Sequence, residues 1–385
     1  MSYNPNILAQ VLSSRALTTA KLSKRLGIEE QQLDRELEVS EPRQGLLNHI
    51  AYELAVPIFT FYMEEAPSLN DRIPDFRSTA TKLVAKERQT LVSIQLARAI
   101  QSRAEEIDPA QKLTLPALHQ EMPVGIQAHA IRKWFGISIA DQIEAKDSRV
   151  FYNICRQKIE AAGIFVLQDS FPDTDGSGFC LASKIAPVIV VNTKRQTRGR
   201  RLFTLMHELA HVLLGETGIS DPFARSNPVE KFCNAFAGQF LVPKNDLTEL
   251  LAGLRIPASP DRDDVARIAR RLKISQQATI LRLEQMGSVA VGSYASWLGS
   301  VANLNPDFKK EGGGAGGPPP QEKVKLARYG FRFAELFGQA LDKGRLNDLQ
   351  LYRISGLKPK YQKNYFSFAG SLSDADVRSL ELGDD

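Results

Sequence analysis

The spacing of hydrophobic residues before residue 66 predicts several short helices rather than strands. Asn6 and either Thr18 or Thr19 are suited to begin two of them, because their side chains can accept hydrogen bonds from first-turn amides. Gly27 supplies a tight turn between the second helix and the third. The expected helices cover residues 7–14, 21–26, 29–38 and 44–54. A helix, a glycine turn and a second helix in a compact unit form the helix-turn-helix pattern, which we predict for residues 1–66.

Beyond residue 66 the pattern is helical up to Gly163 and mixed after it. Further helices are expected over 78–107, 126–135, 148–162, 200–214 and 229–241, with two shorter ones between 263 and 285. Short β-branched runs predict strands at 164–167, 179–182 and 188–191, the first two flanking a solvated turn at 169–178. A Gly/Pro-rich linker at 311–320 precedes a last helical part over 323–382. The predicted fold class is α+β, mainly helical with a small mixed β-sheet.

Composition excludes several classes of protein. Hydrophobic residues make up 43% of the chain and charged residues 24%, which is typical of a globular protein. The net charge of +5 over 385 residues is too small for a polybasic membrane anchor or a nucleic-acid coat protein. The 3 cysteines, an odd number, argue against a disulfide framework and favour a reducing compartment. Without a signal-peptide pattern or an apolar run of membrane-spanning length, we predict a cytoplasmic protein with no membrane partner.

A metal-binding motif, His-Glu-x-x-His, lies at 207–211 on a predicted buried helix. Residues four apart share one face of a helix, so His207 and His211 can direct two imidazole nitrogens at one ion. Glu208 projects beside them, where it can take a proton from a metal-bound water. The alternative is a core helix whose histidines only form hydrogen bonds, and it would bury two imidazoles and a carboxylate at a large cost in free energy.

A catalytic zinc ion needs a third protein ligand and one open position. Glu230, on the next predicted helix, is the best candidate, although it also fits a capping box with Asn227 that needs no metal. Asn234, one turn later, can bond to a liganding histidine and fix the orientation of its ring. Two other carboxylates, Asp221 and Asp246, are weaker ligand candidates. Cys233 could also bind a metal through its thiol, but it is more readily explained as a small buried residue.

Two segments around this motif carry a family resemblance. The first joins VIVVN at 188–192 to RLFTLMHELAH at 201–211, and the second is EKFCNAFAGQFLVP at 230–243. Together they resemble the ImmA/IrrE metallopeptidases, except that Cys233 stands where the family commonly has alanine. The resemblance also covers LNHIA at 47–51, PDFR at 74–77 and the segment 274–283, and it is strong over 162–286 and weaker elsewhere.

This resemblance implies a zinc-dependent endopeptidase with a gluzincin-like site on a zincin-like core. His207, His211 and Glu230 match the family's metal positions, and Glu208 matches its general base and acid. Zn²⁺ is the expected cofactor, with Mn²⁺ as the alternative. The family's usual substrate is a partner protein, often a helix-turn-helix repressor or an antitoxin encoded nearby. Four regions then follow: an XRE-type helix-turn-helix-like domain at 1–66, a helical connection at 67–147, the metallopeptidase domain at 148–290 and a helical C-terminal region at 291–385.

The charge of the N-terminal unit argues against DNA recognition. Residues 1–66 hold six Lys or Arg against nine Asp or Glu. The helix in the recognition position, at 29–38, carries five acidic residues and Arg35 alone as a base, which opposes attraction to phosphates. We therefore expect this helix to dock a protein, such as the basic surface of a substrate repressor. A homodimer is also compatible with the sequence.

Two functions are compatible with these features. The leading one is a site-specific endopeptidase that cleaves a partner regulatory protein and so relieves repression. In this interpretation Val188–Asn192 forms a sheet edge on which the substrate peptide adds as a strand. The alternative is a transcriptional regulator whose zincin-like domain senses a metal or ligand without proteolysis. A structural zinc module is weaker, because such sites are normally closed by four protein ligands.

Overall fold

The computed structural model describes residues 2–65, 85–220, 227–302 and 319–373, with the single positions 67, 73 and 376. Three predicted features lie outside these described residues, namely the PDFR segment at 74–77, Asp221 and most of the linker at 311–320. The described residues form helices and one four-stranded mixed sheet, which confirms the α+β class. In this part of the chain no helix combines the length and the apolar character needed to cross a bilayer.

The N-terminal unit is a small helical bundle with its own hydrophobic core. Its elements are α1 (Pro5–Ser14), α2 (Thr19–Leu26), α3 (Glu30–Leu37), α4 (Gln44–Glu53) and a 3-10 turn at Ile58–Tyr62. Thr18 caps α2 as predicted, whereas the cap of α1 is Asn4 and not Asn6. The reason is Pro5, which is favoured at the first helical position and so moves the start of α1 forward. Gly27 ends α2 in the left-handed conformation, with φ 66°.

Residues 78–84 of the helix expected over 78–107 lie outside the described residues. In the described part the helix begins at Arg88, and residues 85–87 are not helical. Its first turn is capped from a distant loop: Asp175 Oδ2 accepts from the Glu87 amide at 2.8 Å and from the Thr90 hydroxyl at 2.6 Å. Four helices occupy this part of the chain, namely α5 (Arg88–Ile107), α6 (Val124–Trp134), α7 (Ile139–Glu144) and α8 (Ser148–Ala161).

The loop at 169–178 is not the solvated turn expected from its polar sequence. Phe171 is fully buried in it and Asp175 is 6% exposed. At its start, Asp169 accepts from the Ser93 hydroxyl at 2.7 Å and from Arg328 at 3.2 Å. The loop therefore bonds both to α5, which precedes it in the chain, and to a helix that lies far after it.

The sheet has the strand order β1-β3-β2-β4. Its strands are β1 (Phe165–Asp169), β2 (Gly178–Leu181), β3 (Val188–Asn192) and β4 (Gly218–Ser220). β3 pairs in parallel with β1 and antiparallel with β2, and β4 pairs antiparallel with β2. One prediction is therefore wrong: Val188–Asn192 is a central strand instead of an edge. The loop at 169–178 joins two strands that are not neighbours in the sheet. All five residues of β3 are buried, as expected of a strand covered on both faces.

Alternating strand residues point into two separate cores. Val166, Cys180 and Ile189 lie in the core that contains α8, α9 (Arg198–Leu214) and α10 (Pro228–Leu241). Phe165 and Val188 lie in the other core, formed by α5 and the C-terminal helices. The remaining helices are α11 (Leu247–Leu250), α12 (Arg262–Leu272), α13 (Gln276–Gln285), α14 (Ser293–Ala302), α15 (Gln321–Asp342), α16 (Asp348–Ser355) and α17 (Pro359–Ser371).

The helix α15 crosses the sheet through a kink at Gly330, where φ is 82°. A Cβ atom there would overlap Glu160 Oε1 and lie 2.7 Å from the Arg156 guanidinium. Arg156 and Glu160 form a buried ion pair on α8, and Glu160 accepts from the Phe331 amide at 3.1 Å. The glycine lets the backbone of α15 come close enough to satisfy this pair.

Candidate metal centre

The helix α9 carries the His-Glu-x-x-His motif into the core on one side of the sheet. Thr197 caps its first turn, and Gly215 ends it in the left-handed conformation with φ 77°. Packing against β2, β3 and α10 leaves His207, Glu208 and His211 with no exposed surface. The periodicity that predicts this helix therefore also places the motif away from solvent.

The helix α10 supplies the fourth buried polar side chain. Asn227 caps it by accepting from the Val229 amide at 2.8 Å, and Pro228 occupies the first helical position. Glu230 follows within the first turn and is fully buried. Its carboxylate points at the two imidazoles, which is the arrangement expected of a ligand and not of a residue that only caps the helix.

The three candidate ligands converge on one place. Nε2 of His207 and Nε2 of His211 are 3.2 Å apart. Glu230 Oε2 lies 3.3 Å from His207 Nε2, and Oε1 lies 3.0 Å from His211 Nε2. The ligand atoms of His207, His211 and Glu230 all lie within 4.8 Å of one another. The described residues contain no other such group of three or more His, Cys, Asp or Glu.

This set of side chains fits a divalent metal ion. Two imidazole nitrogens and one carboxylate are a common donor set of catalytic zinc, with a further position left for solvent. His207 Nδ1 and Glu208 Oε2 have no hydrogen-bond partner within the described part of the chain. Burying so many polar groups with so few hydrogen bonds is unfavourable unless a cation compensates them. The group can therefore bind a metal ion, and Zn²⁺ stays a prediction.

Glu208 is held beside the ligands by two residues from the sheet. Ser220 on β4 donates a hydrogen bond to Glu208 Oε1. A Cβ atom on Gly178 of β2 would lie 2.9 Å from the same oxygen and 2.8 Å from the Thr204 side chain. Sequence reasoning missed both contacts. Nothing in the sequence marks Ser220, whereas a glycine inside a strand is a known sign of close approach.

Burial dominates the electrostatics of the site. It raises the pKa of Glu208 well above the usual range, against the opposing effect of the bond from Ser220. Burial lowers the pKa of His211, which favours the neutral imidazole that binds metals. At Glu230 burial acts to raise the pKa, but the two neighbouring imidazoles outweigh it and the net shift is downward.

Asp246 and Cys233 are not members of this group. Asp246 Oδ2 faces His129 Nδ1 at 3.8 Å. Cys233 is fully buried, and burial raises the pKa of its thiol well above the usual value, which disfavours the thiolate that binds metals. Asn234 is half-buried one turn along α10 from the candidate carboxylate ligand, and its bond to a liganding histidine stays a prediction.

A comparison with family models finds one match, and it covers the segment that holds this site. Residues 159–284 match the Peptidase_M78 family model, described as an IrrE N-terminal-like domain. This M78 segment contains the whole sheet, α9, α10 and the four residues of the candidate site. The match supports the resemblance to the ImmA/IrrE family and a metallopeptidase role. No curated protein matches the chain at a significant level.

Proposed function

We propose that the protein is a site-specific metallo-endopeptidase that cleaves a partner regulatory protein and so relieves repression. The observation that carries the peptidase part is the convergence of His207, His211 and Glu230, with Glu208 beside them. The M78 match supports the same activity independently. By the resemblance to ImmA/IrrE proteins, the substrate is a helix-turn-helix repressor or an antitoxin encoded nearby.

Each side chain of the site has a separate role in this proposal. His207, His211 and Glu230 hold the metal, for which we propose Zn²⁺, with Mn²⁺ as the alternative. When bound, the metal supplies Lewis-acid activation of water and of the scissile carbonyl. Glu208 accepts the proton of the attacking water and delivers it to the leaving amine nitrogen. Ser220 occupies Oε1 of that carboxylate, which leaves Oε2 for the proton transfer.

The substrate is proposed to approach along β4. Among the described strands β4 lies at the edge of the sheet, and its residue Ser220 contacts Glu208. An extended peptide that pairs with an edge strand gains backbone hydrogen bonds without a deep pocket. The exposed acidic face of α3 would then dock a basic surface of the same substrate.

The experiment incubates the zinc-loaded protein with the product of the adjacent gene and follows cleavage by mass spectrometry. Glu208→Gln is the matched variant, because it removes the proton acceptor and keeps the three metal ligands. We expect one defined cleavage in the wild type and none in the variant, at equal metal content. If both proteins leave every candidate partner intact while bound zinc alters their binding to that partner, the metal-sensing regulator is supported instead.

A further inference from the structure

Two helix pairs in this chain are joined by turns of the same form. α2 and α3 are joined by Gly27–Glu29, and α16 and α17 by Gly356–Lys358. In both turns a left-handed glycine, with φ 66° in the first and 71° in the second, precedes an apolar residue and the N-cap of the next helix. A three-residue glycine turn between two helices is typical of a helix-turn-helix unit.

The C-terminal pair is internally fixed. Leu357 in the turn and Tyr365 on α17 are both fully buried. The Gln362 amide of α17 donates to the backbone carbonyl of Asp348 at 2.9 Å and to that of Leu357 at 2.8 Å. These bonds tie α17 to the start of α16 and to the turn, so the outward face of α17 is presented in a defined orientation.

The outward face of α17 is basic. Lys360, Lys363, Asn364 and Ser367 are exposed, with the spacing of one helix face, and Lys358 and Arg353 extend this surface. Lys360 lies over the ring of Tyr361 at 4.8 Å. The ion pairs found among the described residues do not include Lys358, Lys363 or Arg353. Residues 319–373 contain ten Lys or Arg against four Asp or Glu, whereas residues 374–385 add five Asp or Glu and one Arg. The excess of positive charge therefore belongs to the helical part before the tail.

The N-terminal pair has acidic or neutral residues at the equivalent positions. Aligning the two turn glycines brings together three pairs of residues with contrasting character, namely Glu29 with Lys358, Gln31 with Lys360 and Asp34 with Lys363. In helix-turn-helix proteins the start of the second helix meets the major groove, where basic side chains release counterions from the phosphates. The acidic α3 opposes this contact, and the basic α17 favours it.

We propose that α16 and α17 form a binding surface for double-stranded DNA, with the N-terminal half of α17 in the major groove. Lys358, Lys360 and Lys363 contact phosphates. Asn364, on the same face, donates from its amide nitrogen to Glu322 Oε1 at 3.5 Å. It would exchange this bond for one to a base edge, since an amide can both donate and accept there. DNA binding thus resides at the C-terminal end of the chain, separate from the metal centre, and the proposal does not depend on peptidase activity.

The test uses the full-length protein and fluorescence anisotropy with a mixed-sequence DNA duplex. The variant combines Lys358→Gln, Lys360→Gln and Lys363→Gln. The control combines Lys112→Gln, Lys133→Gln and Lys146→Gln, which are exposed lysines elsewhere and give the same change in charge. Circular dichroism and bound zinc, measured for all three proteins, establish that the fold is intact.

We expect the wild type and the control to bind the duplex equally, and the α17 variant to bind at least about tenfold more weakly at moderate salt. Between about 50 and 200 mM salt, the slope of log K against log salt should fall by about 2–3 in the α17 variant, roughly one for each lost phosphate contact. Equal binding by the variant and the control, or no binding by the wild type, would overturn the proposal. If the protein instead self-associates through the α17 lysines and does not bind DNA, the basic surface would be a binding site for the acidic α3 of a second copy.

Discussion

The two faces of the central sheet carry helices of opposite chemistry. On one face, α9 and α10 bury the imidazoles and carboxylates of the candidate metal centre. On the other, α15 packs a row of aromatic rings in which Phe333 lies 4.9 Å from Tyr329 and 4.5 Å from Phe337, between ring centroids. Buried polar groups without hydrogen bonds destabilise the folded state, whereas buried aromatic rings stabilise it. The aromatic face therefore stabilises a sheet whose other face carries the candidate metal centre. Substitutions on the two faces should affect stability and metal binding separately.

The largest effect is expected from His207→Ala on the polar face. Zinc binding by a complete set of ligands is worth about 10–16 kcal/mol, so losing one of three ligands should weaken metal affinity by about a thousandfold. Metal content after dialysis, measured by plasma mass spectrometry, should fall to near zero while circular dichroism is retained. Asn234→Ala is the control, with a loss of about 10–100-fold if its amide orients a histidine. Full metal retention by His207→Ala would refute the ligand assignment.

On the aromatic face, Phe333→Ala should reduce stability and leave metal binding unchanged. Phe333 has no exposed surface, and replacing such a ring costs about 3–5 kcal/mol through lost burial and the cavity that remains. Urea unfolding followed by fluorescence measures the change. If the folded variant also loses zinc, the two faces of the sheet are energetically coupled and do not have separate roles.

A smaller loss is expected from Gly330→Ala, which tests how α15 approaches the sheet. A left-handed residue with a side chain costs about 1–3 kcal/mol from the backbone alone, and the new Cβ would also meet Glu160. Gly299→Ala is the control, because nothing lies within 4 Å of its Cβ position in α14. Thermal unfolding should show a loss in the first variant and a slight gain in the second. Equal melting temperatures would show that the kink is not required.

The last prediction concerns the dependence of stability on pH. Burial raises the pKa of Glu160 to about 7, although Arg156 and the Phe331 amide oppose the shift. Between its ordinary pKa and 7, the folded state holds this proton more often than the unfolded state does. Stability from this group is therefore present at low pH and lost as the pH rises through 7. Urea unfolding at several pH values should show this slope, and Glu160→Gln should flatten it; an unchanged slope would assign the effect to other groups.

The local parts of the site are readable from the sequence. His207, Glu208 and His211 lie on one helix, and helical periodicity alone brings the two histidines together. Glu230 required the spacing of a second helix and the family resemblance, and the structure places its carboxylate against both imidazoles. The helices α8, α9 and α10 also begin and end within about two residues of their predicted positions, as expected for strongly periodic segments.

The contacts that the sequence did not reveal are those between distant segments. The order of the strands depends on pairing between distant segments, which the sequence of one strand does not show. The segment of β3 is therefore predicted to be an edge strand, whereas it is central in the fold. β4 is three residues long, too short for an alternating pattern, and its Ser220 reaches Glu208 only after folding. The start of α5 depends on Asp175, which follows Thr90 by 85 positions.

The loop at 169–178 has a consequence for any attempt to excise the peptidase module. Its Asp175 anchors α5, and its Asp169 anchors Arg328 of α15, yet both helices lie outside the segment that the family shares. Cutting the chain at 159 and 284 would remove these two helices and expose the hydrophobic face of the sheet that packs against them to solvent. The matched segment lacks contacts that its loop makes in the folded chain, so we expect a stably folded piece to need α5 and α15 as well.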